Sequence, residues 1–364
     1  MSVNATLMQG VNEVGMQAVI NSYDLKPFYF PTLFPLKENM TLSWKALEAT
    51  TGLKVAADVV ARGASIPRKV REAIGKLQGE IPKIAVAREM DENTLTDYDI
   101  ALALSSNNPN VKAIVEFWAN DMEFCWTGVT AKLEWMALRQ ISTGKIIFQQ
   151  DNNQSVLSEF AVDYQIPADQ KTGVAEKWSV SGSKPLNDFR KAITDAKKKS
   201  ISPRFAFMNL NTFAKFSENE DVIKQSASFA NAALGISQSP DLVTVNSMLA
   251  KKPWLNGLQI VVIDQDITLE INGERKTENP FLDDVVMLSE SKILGNTYWK
   301  KPIDMNLTGS AAMKVMNGPV LIKKFSTEEP VTEVTQGIAN AFPAWNGSGR
   351  SVLLDVESKS GFTK

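Results

Sequence analysis

Two pairs of carboxylates are the first residues in this sequence that could do chemistry. Asp264-Gln-Asp266 follows an apolar run and Asp283-Asp284 precedes Val285-Val-Met-Leu288. Oxygen ligands beside apolar strands are where α/β enzymes often hold magnesium, so a metal-dependent enzyme using Asp264, Asp266, Asp283 and Asp284 is one expectation. Aspartate at strand ends also bonds its own backbone in turns, and that reading stands beside the first. Nucleophilic chemistry has fewer candidates. There is one cysteine, Cys125, and no histidine, which removes Ser-His-Asp and Cys-His catalysis and every histidine-ligated metal site. Cys125 lies on an apolar helix face, where a thiol is expected to be buried and inert. No G-x-x-x-x-G-K-[ST] occurs, because Gly144-Lys145 is followed by isoleucine, and Gly347-Ser-Gly349 sits in a late loop. Phosphate cradles are therefore absent, and no cofactor is expected.

Composition narrows the classes further. The chain has 364 residues, 44% apolar and 22% charged, with a formal net charge of −2. That is enough for two or three domains' worth of core, and too little positive charge for a chain that coats nucleic acid. A lone cysteine forms no intrachain disulfide, and residues 1–15 lack the basic-then-apolar pattern of a signal peptide. Synthesis in the cytoplasm is the expectation.

The elements that would position these residues are organised around 107–144, which reads as one long helix. Asn108 and Pro109 suit its start, Gly144 suits its end, and apolar residues recur every three to four positions from Val111 to Ile141. At about 1.5 Å per residue such a helix is roughly 50 Å long. Lys112, Glu116, Asp121, Glu123 and Lys132 interrupt it, so it is no membrane span. Upstream, Pro27, Pro31 and Pro35 with Phe28, Tyr29, Phe30 and Phe34 predict an extended greasy arm, packed on its own domain or on a neighbouring subunit. Residues 50–88 mix glycine and alanine with Lys54, Arg62, Arg68, Lys69 and Arg71. The short runs at 53–55, 59–60 and 81–84 could pair as a ribbon, with a solvated loop as the alternative. Asp91, Glu92, Asp97 and Asp99 open a short acidic helix. A hairpin follows the long helix, and 181–325 alternates helix and strand as one α/β domain, with Asn272-Gly273 marking a two-residue hairpin. The strands in 331–356 are expected to rejoin the first sheet.

This order of segments resembles the lambda-type (protein E family) major capsid proteins of tailed bacteriophages. The residues that carry the likeness are Thr143-Gly-Lys-Ile146, Val162-Asp-Tyr164 and Phe205-Ala-Phe-Met-Asn209. Trp254-Leu through Val-Val-Ile-Asp264, Glu329-Pro-Val-Thr-Glu-Val334, Phe342-Pro and Val352-Leu-Leu354 complete it. The resemblance implies an α+β HK97-like fold with an amino-terminal arm (1–47), an extended E-loop (48–90), a peripheral domain (91–180 and 326–364) holding a spine helix (108–143), and an axial domain (181–325).

It implies a non-catalytic head protein that self-assembles as hexamers and pentamers into an icosahedral shell around double-stranded DNA. Scaffolding, portal and decoration proteins are the possible partners, the virion is the location, and there is no membrane. An encapsulin-like compartment is the alternative on the same fold. The loop cations Lys54, Arg62, Arg68, Lys69 and Arg71, set against Asp91, Glu92, Asp97 and Asp99, are the expected subunit interface.

Overall fold

The computed structural model describes residues 3–4, 6–8, 11–49, 74–105, 111–149, 152–153, 161–227, 239–307 and 311–364. From the amino end, strand β1 (Val3–Asn4) is followed by helix α1 (Glu13–Asn21), where the Asn12 side chain accepts the Gly15 N–H as an N-cap. The proline-rich arm is not simply extended. Phe30–Leu33 forms a helical turn, α2, with Pro31 in its first turn, where the missing N–H is no loss. Phe30, Leu33 and Phe34 are buried within the subunit itself, before β2 (Leu36–Glu38).

Strands β3 (Ser43–Ala49) and β4 (Ile74–Glu80) pair as a two-stranded ribbon. The expected ribbon used other runs: 53–60 falls outside the described residues, and Pro82, which has no N–H to donate, divides 81–84. Strand β5 (Lys83–Met90) begins after it, then α3 (Glu92–Ser105) and the long helix α4 (Val111–Thr143). Asn108 and Pro109 lie outside the described residues, but the predicted stop is present. Gly144 adopts φ +77°, and its N–H bonds Gln140 O at 2.8 Å.

Next come the paired strands β6 (Lys145–Ile147) and β7 (Ala161–Asp163), then β8 (Lys171–Gly173) and α5 (Pro185–Lys198). Strand β9 (Phe205–Asn209) leads into helices α6 (Leu210–Ser217), α7 (Glu220–Ser226) and α8 (Leu242–Ala250), then β10 (Gln259–Ile263). The hairpin β11 (Ile267–Ile271) and β12 (Glu274–Glu278) turns at Asn272 and Gly273 with φ of +52° and +81°, both left-handed as a two-residue turn requires. Strands β13 (Val285–Ser289), β14 (Gly295–Lys300), β15 (Met313–Asn317), β16 (Val320–Glu328), β17 (Val331–Trp345) and β18 (Val352–Asp355) complete the chain.

These elements form two compact units: Met1–Trp44, Gly79–Met136 and Asn296–Ala344; and Lys45–Gln78, Ala137–Gly295 and Trp345–Lys364. The first unit is built on a seven-stranded sheet of order β1-β16-β17-β14-β2, with β15 also on β16 and β5 on β17. The sheet approaches α4 at Gly337, where a Cβ would stand 2.5 Å from Cys125 O, so only glycine fits there. The second unit carries a five-stranded sheet, β10-β9-β13-β18-β8, under α5 to α8.

The tail divides between the sheets. Val331–Trp345 does rejoin the first sheet, pairing with β5 and β16. Val352–Asp355 enters the second, between β13 and β8. All four of its residues are buried, the pattern of an interior strand rather than a half-solvated one. The same pairing joins 171–173 to the second sheet, so the compact units are not divided at 180 and 326.

Candidate assembly surfaces

Helix α3 gathers the four predicted carboxylates. Asp91 caps it, accepting Thr94 Oγ1–H at 2.6 Å and Thr94 N–H at 2.9 Å, and these bonds hold its carboxyl below the usual range. Leu95 and Tyr98 are the buried side of the helix. Asp97 and Ile100, three residues apart, share the opposite face, while Glu92 and Asp99 flank it, all of them exposed. No cation occurs in the α3 sequence. The basic half of the expected interface, Lys54, Arg62, Arg68, Lys69 and Arg71, lies outside the described residues.

Three charged groups that the sequence reading did not single out organise the first unit. Arg88 on β5 reaches Asp121 at 3.2 Å and lies over the Phe124 ring, 4.9 Å from its centroid. Lys324 and Glu333, on adjacent strands and both fully buried, stand 3.4 Å apart. Glu333 also accepts Thr6 Oγ1–H at 2.5 Å and Leu7 N–H at 3.0 Å, which ties the amino end down. Burial depresses the Lys324 ammonium pKa, opposed by the Glu333 charge. The third is Glu134 on α4, whose two oxygens accept the N–H groups of Tyr29 (2.9 Å) and Phe30 (2.7 Å). Burial pushes its carboxyl up to about 7, against the pull of those two bonds.

The sequence signal for these was weak. Alternation along Ile322-Lys323-Lys324-Phe325 gives no reason to turn Lys324 inward, and Glu134 has no partner within its own helix. Only the return of distant segments supplies their counterparts.

Asp283 and Asp284 are ties between segments. Asp283 accepts from Asn209 Nδ2 and, at 3.2 Å, from Asn211 Nδ2. Asp284, with φ +65°, pairs with Lys215 at 2.6 Å and Lys364 at 3.6 Å. Asp264 and Asp266 are exposed just beyond β10. Among the described residues, no group of three or more carboxylate or thiol side chains is placed to hold a metal. Cys125 is buried, its S–H donates to Thr335 O at 3.3 Å, and burial pushes the thiol up to about 12, which leaves it protonated and unreactive at neutral pH. No helix among the described residues is long and apolar enough to cross a membrane.

Comparison with known proteins decides the family. The model of phage major capsid protein E matches residues 14–329. The chain belongs to that family. The solved structures that share its fold include two phage-related proteins. One was assigned as the capsid protein of an E. coli CFT073 prophage: TM-score 0.59 at 15% identity, over 95% of this chain and 99% of that one. The other is a phage-related protein of Bordetella bronchiseptica RB50: TM-score 0.54 at 12% identity, over 95% and 97% of the two chains. No curated protein sequence matches. The capsid protein therefore has the α+β HK97-type fold that its segment order implied, and it is a phage shell protein. The family match favours that reading over the encapsulin-like compartment and the aspartate-dependent enzyme.

Proposed function

We propose that this protein is the non-catalytic building block of a phage or prophage head, assembling as hexamers and pentamers into an icosahedral shell that encloses double-stranded DNA. The observation that carries this is the capsid-family match across residues 14–329. Heterologous contacts between identical subunits close into rings, and closed rings build a shell. A net charge of −2 suits a wall that must not trap the DNA it contains. In this reading the first unit serves as the peripheral domain and the second as the axial domain, while the loop within 48–90 reaches a neighbour with Lys54, Arg62, Arg68, Lys69 and Arg71. The carboxylates of α3, Asp91, Glu92, Asp97 and Asp99, receive a neighbour in turn. Assembly takes place in the host cytoplasm, with scaffolding, portal and decoration proteins as candidate partners.

The test is light scattering followed by negative-stain microscopy of the purified full chain at several salt concentrations, with and without a scaffold from the same genome. Rings or closed shells are expected, and exposed ion pairs should make their yield fall as salt rises. A protein that stays monomeric with its scaffold present would overturn the proposal. Arg68→Glu with Lys69→Glu is expected to abolish shells while leaving the monomer's circular dichroism unchanged. Normal shells from that variant would remove the loop from the interface.

A further inference from the structure

At the start of β5, three ties gather apolar side chains that the first unit leaves uncovered. Asn39 N–H bonds Trp299 O at 2.7 Å, Ile81 N–H bonds Leu42 O at 2.9 Å, and Lys83 Nζ lies 3.9 Å from the Asp304 carboxylate. They bring together Met40 (92% exposed), Leu42 (42%) and Ile303 (74%). Lys301, also exposed, stands two residues before Ile303 across the buried Pro302, and makes no hydrogen bond or ion pair with the described residues. Glu38 and Glu80 belong to the same end, as do Lys37 and Lys300, so the charge there is mixed and not a broad basic field.

At the other end of β5 the chain passes from Met90 to the Asp91 cap and into α3, whose outer face sets Asp97 beside the exposed Ile100 (54%), with Asp99 on its flank. Seven strand steps at about 3.3 Å put the two ends roughly 23 Å apart. One end offers apolar side chains beside an unpaired ammonium; the other offers an apolar side chain among carboxylates with no cation on their helix. Apolar surface left in water at both ends marks docking surfaces, and their charges are complementary. The two patches differ and lie toward opposite ends of β5, so the basic apolar end of one copy can meet the acidic apolar end of a second.

We propose that the Met40–Leu42–Ile303 patch of one subunit, led by Lys301, docks on the Asp97–Ile100 face of α3 in the next. The contact is heterologous, head to tail, and repeats around a ring. It rests on the shell reading above and deepens it by naming the partner of the acidic face.

The test uses the full chain expressed with its scaffold, with shells counted by sedimentation and negative-stain microscopy. Wild-type shells come first, and their absence would defeat the shell reading itself. Given them, Asp97→Lys with Asp99→Lys should remove shells while the monomer's thermal midpoint stays unchanged. Adding Lys301→Glu should restore them, and adding Arg68→Glu and Lys69→Glu instead should not. An Ile100→Cys, Ile303→Cys variant should give a ladder of covalent multimers on oxidation of assembled shells, with Cys125 too buried to contribute. Full shells from the Asp97 and Asp99 variant, restoration by the loop pair alone or by neither addition, or intact shells that give no ladder would each overturn the docking and leave the shell reading in place.

Discussion

The two units bury different things. In the second unit, Trp178, Phe189 and Phe216 meet ring to ring at 5.4–5.6 Å, and leucine, valine and isoleucine of β10, β13 and β18 fill the space between sheet and helices. A buried carboxylate there, Asp188, is met at once by Trp178 Nε1–H at 3.0 Å and Ala175 N–H at 3.3 Å. The first unit sets charges into its interior: Lys324 with Glu333, Asp121 beneath the half-exposed Arg88, and Glu134 against the backbone N–H groups of Tyr29 and Phe30. Each of those charges fastens a segment distant in sequence. Apolar burial is non-directional and stabilises the second unit as a body. Buried charge is costly unless met in one geometry, so the first unit spends stability to fix where the amino-terminal segments lie.

Substitutions in each unit can break this contrast. Phe216→Ala should cost about 4 kcal/mol through the cavity it leaves, seen as faster hydrogen exchange in β9 and β13 and little change in β16 and β17. Lys324→Met should cost about as much, about 4 kcal/mol, because Glu333 is left buried without its counter-charge. Adding Glu333→Leu should recover part of that loss, with exchange in β16 and β17 as the readout. If Lys324→Met alone is neutral, the buried pair does not hold the first unit.

Acidity sharpens the comparison. The folded Glu134 carboxyl is raised from 4.5 to about 7, so its contribution to stability is fully present below pH 4.5 and is lost as pH rises through about 7. That is about 3 kcal/mol at one pKa unit per 1.4 kcal/mol. Urea midpoints taken from pH 4.5 to 8 should therefore fall more steeply in the wild type than in Glu134→Ala. Equal slopes would show that the carboxylate does not titrate there.

Two glycines give smaller effects. Gly337→Ala forces a Cβ against the Cys125 carbonyl and should cost about 2 kcal/mol in the first unit. Gly273→Ala, at φ +81° with open space around it, should cost about 1 kcal/mol, confined to the β11–β12 hairpin. Thermal midpoints of the two variants give the order.

Much of the second unit was legible from local pattern. The run before Asp264, Val285 to Leu288, Asn272-Gly273 and the lysines ending α5 each carry their structure in neighbouring residues, and the long helix announced its end at Gly144. The first unit was harder to read. Proline spacing suggested an extended arm, yet Pro31 sits in the one helical turn that tolerates it, because Glu134, more than a hundred residues away, accepts the N–H groups there. Half of the candidate interface, the acidic helix, could be named from its composition. The Met40–Leu42–Ile303 patch could not, since Ile303 lies 261 residues beyond Leu42 in the chain.

The sequence by itself determined the family, the long helix and its glycine stop, the α+β class, and the absence of histidine chemistry, since each rests on residue type or on spacing within one segment. The tertiary structure decided which sheet each half of the tail enters, that Lys324 faces Glu333, and that the amino end is tied down through Thr6, Leu7, Tyr29 and Phe30. Those depend on pairings between distant segments. A residue's burial and its partners are properties of the folded neighbourhood, and no local pattern carries them.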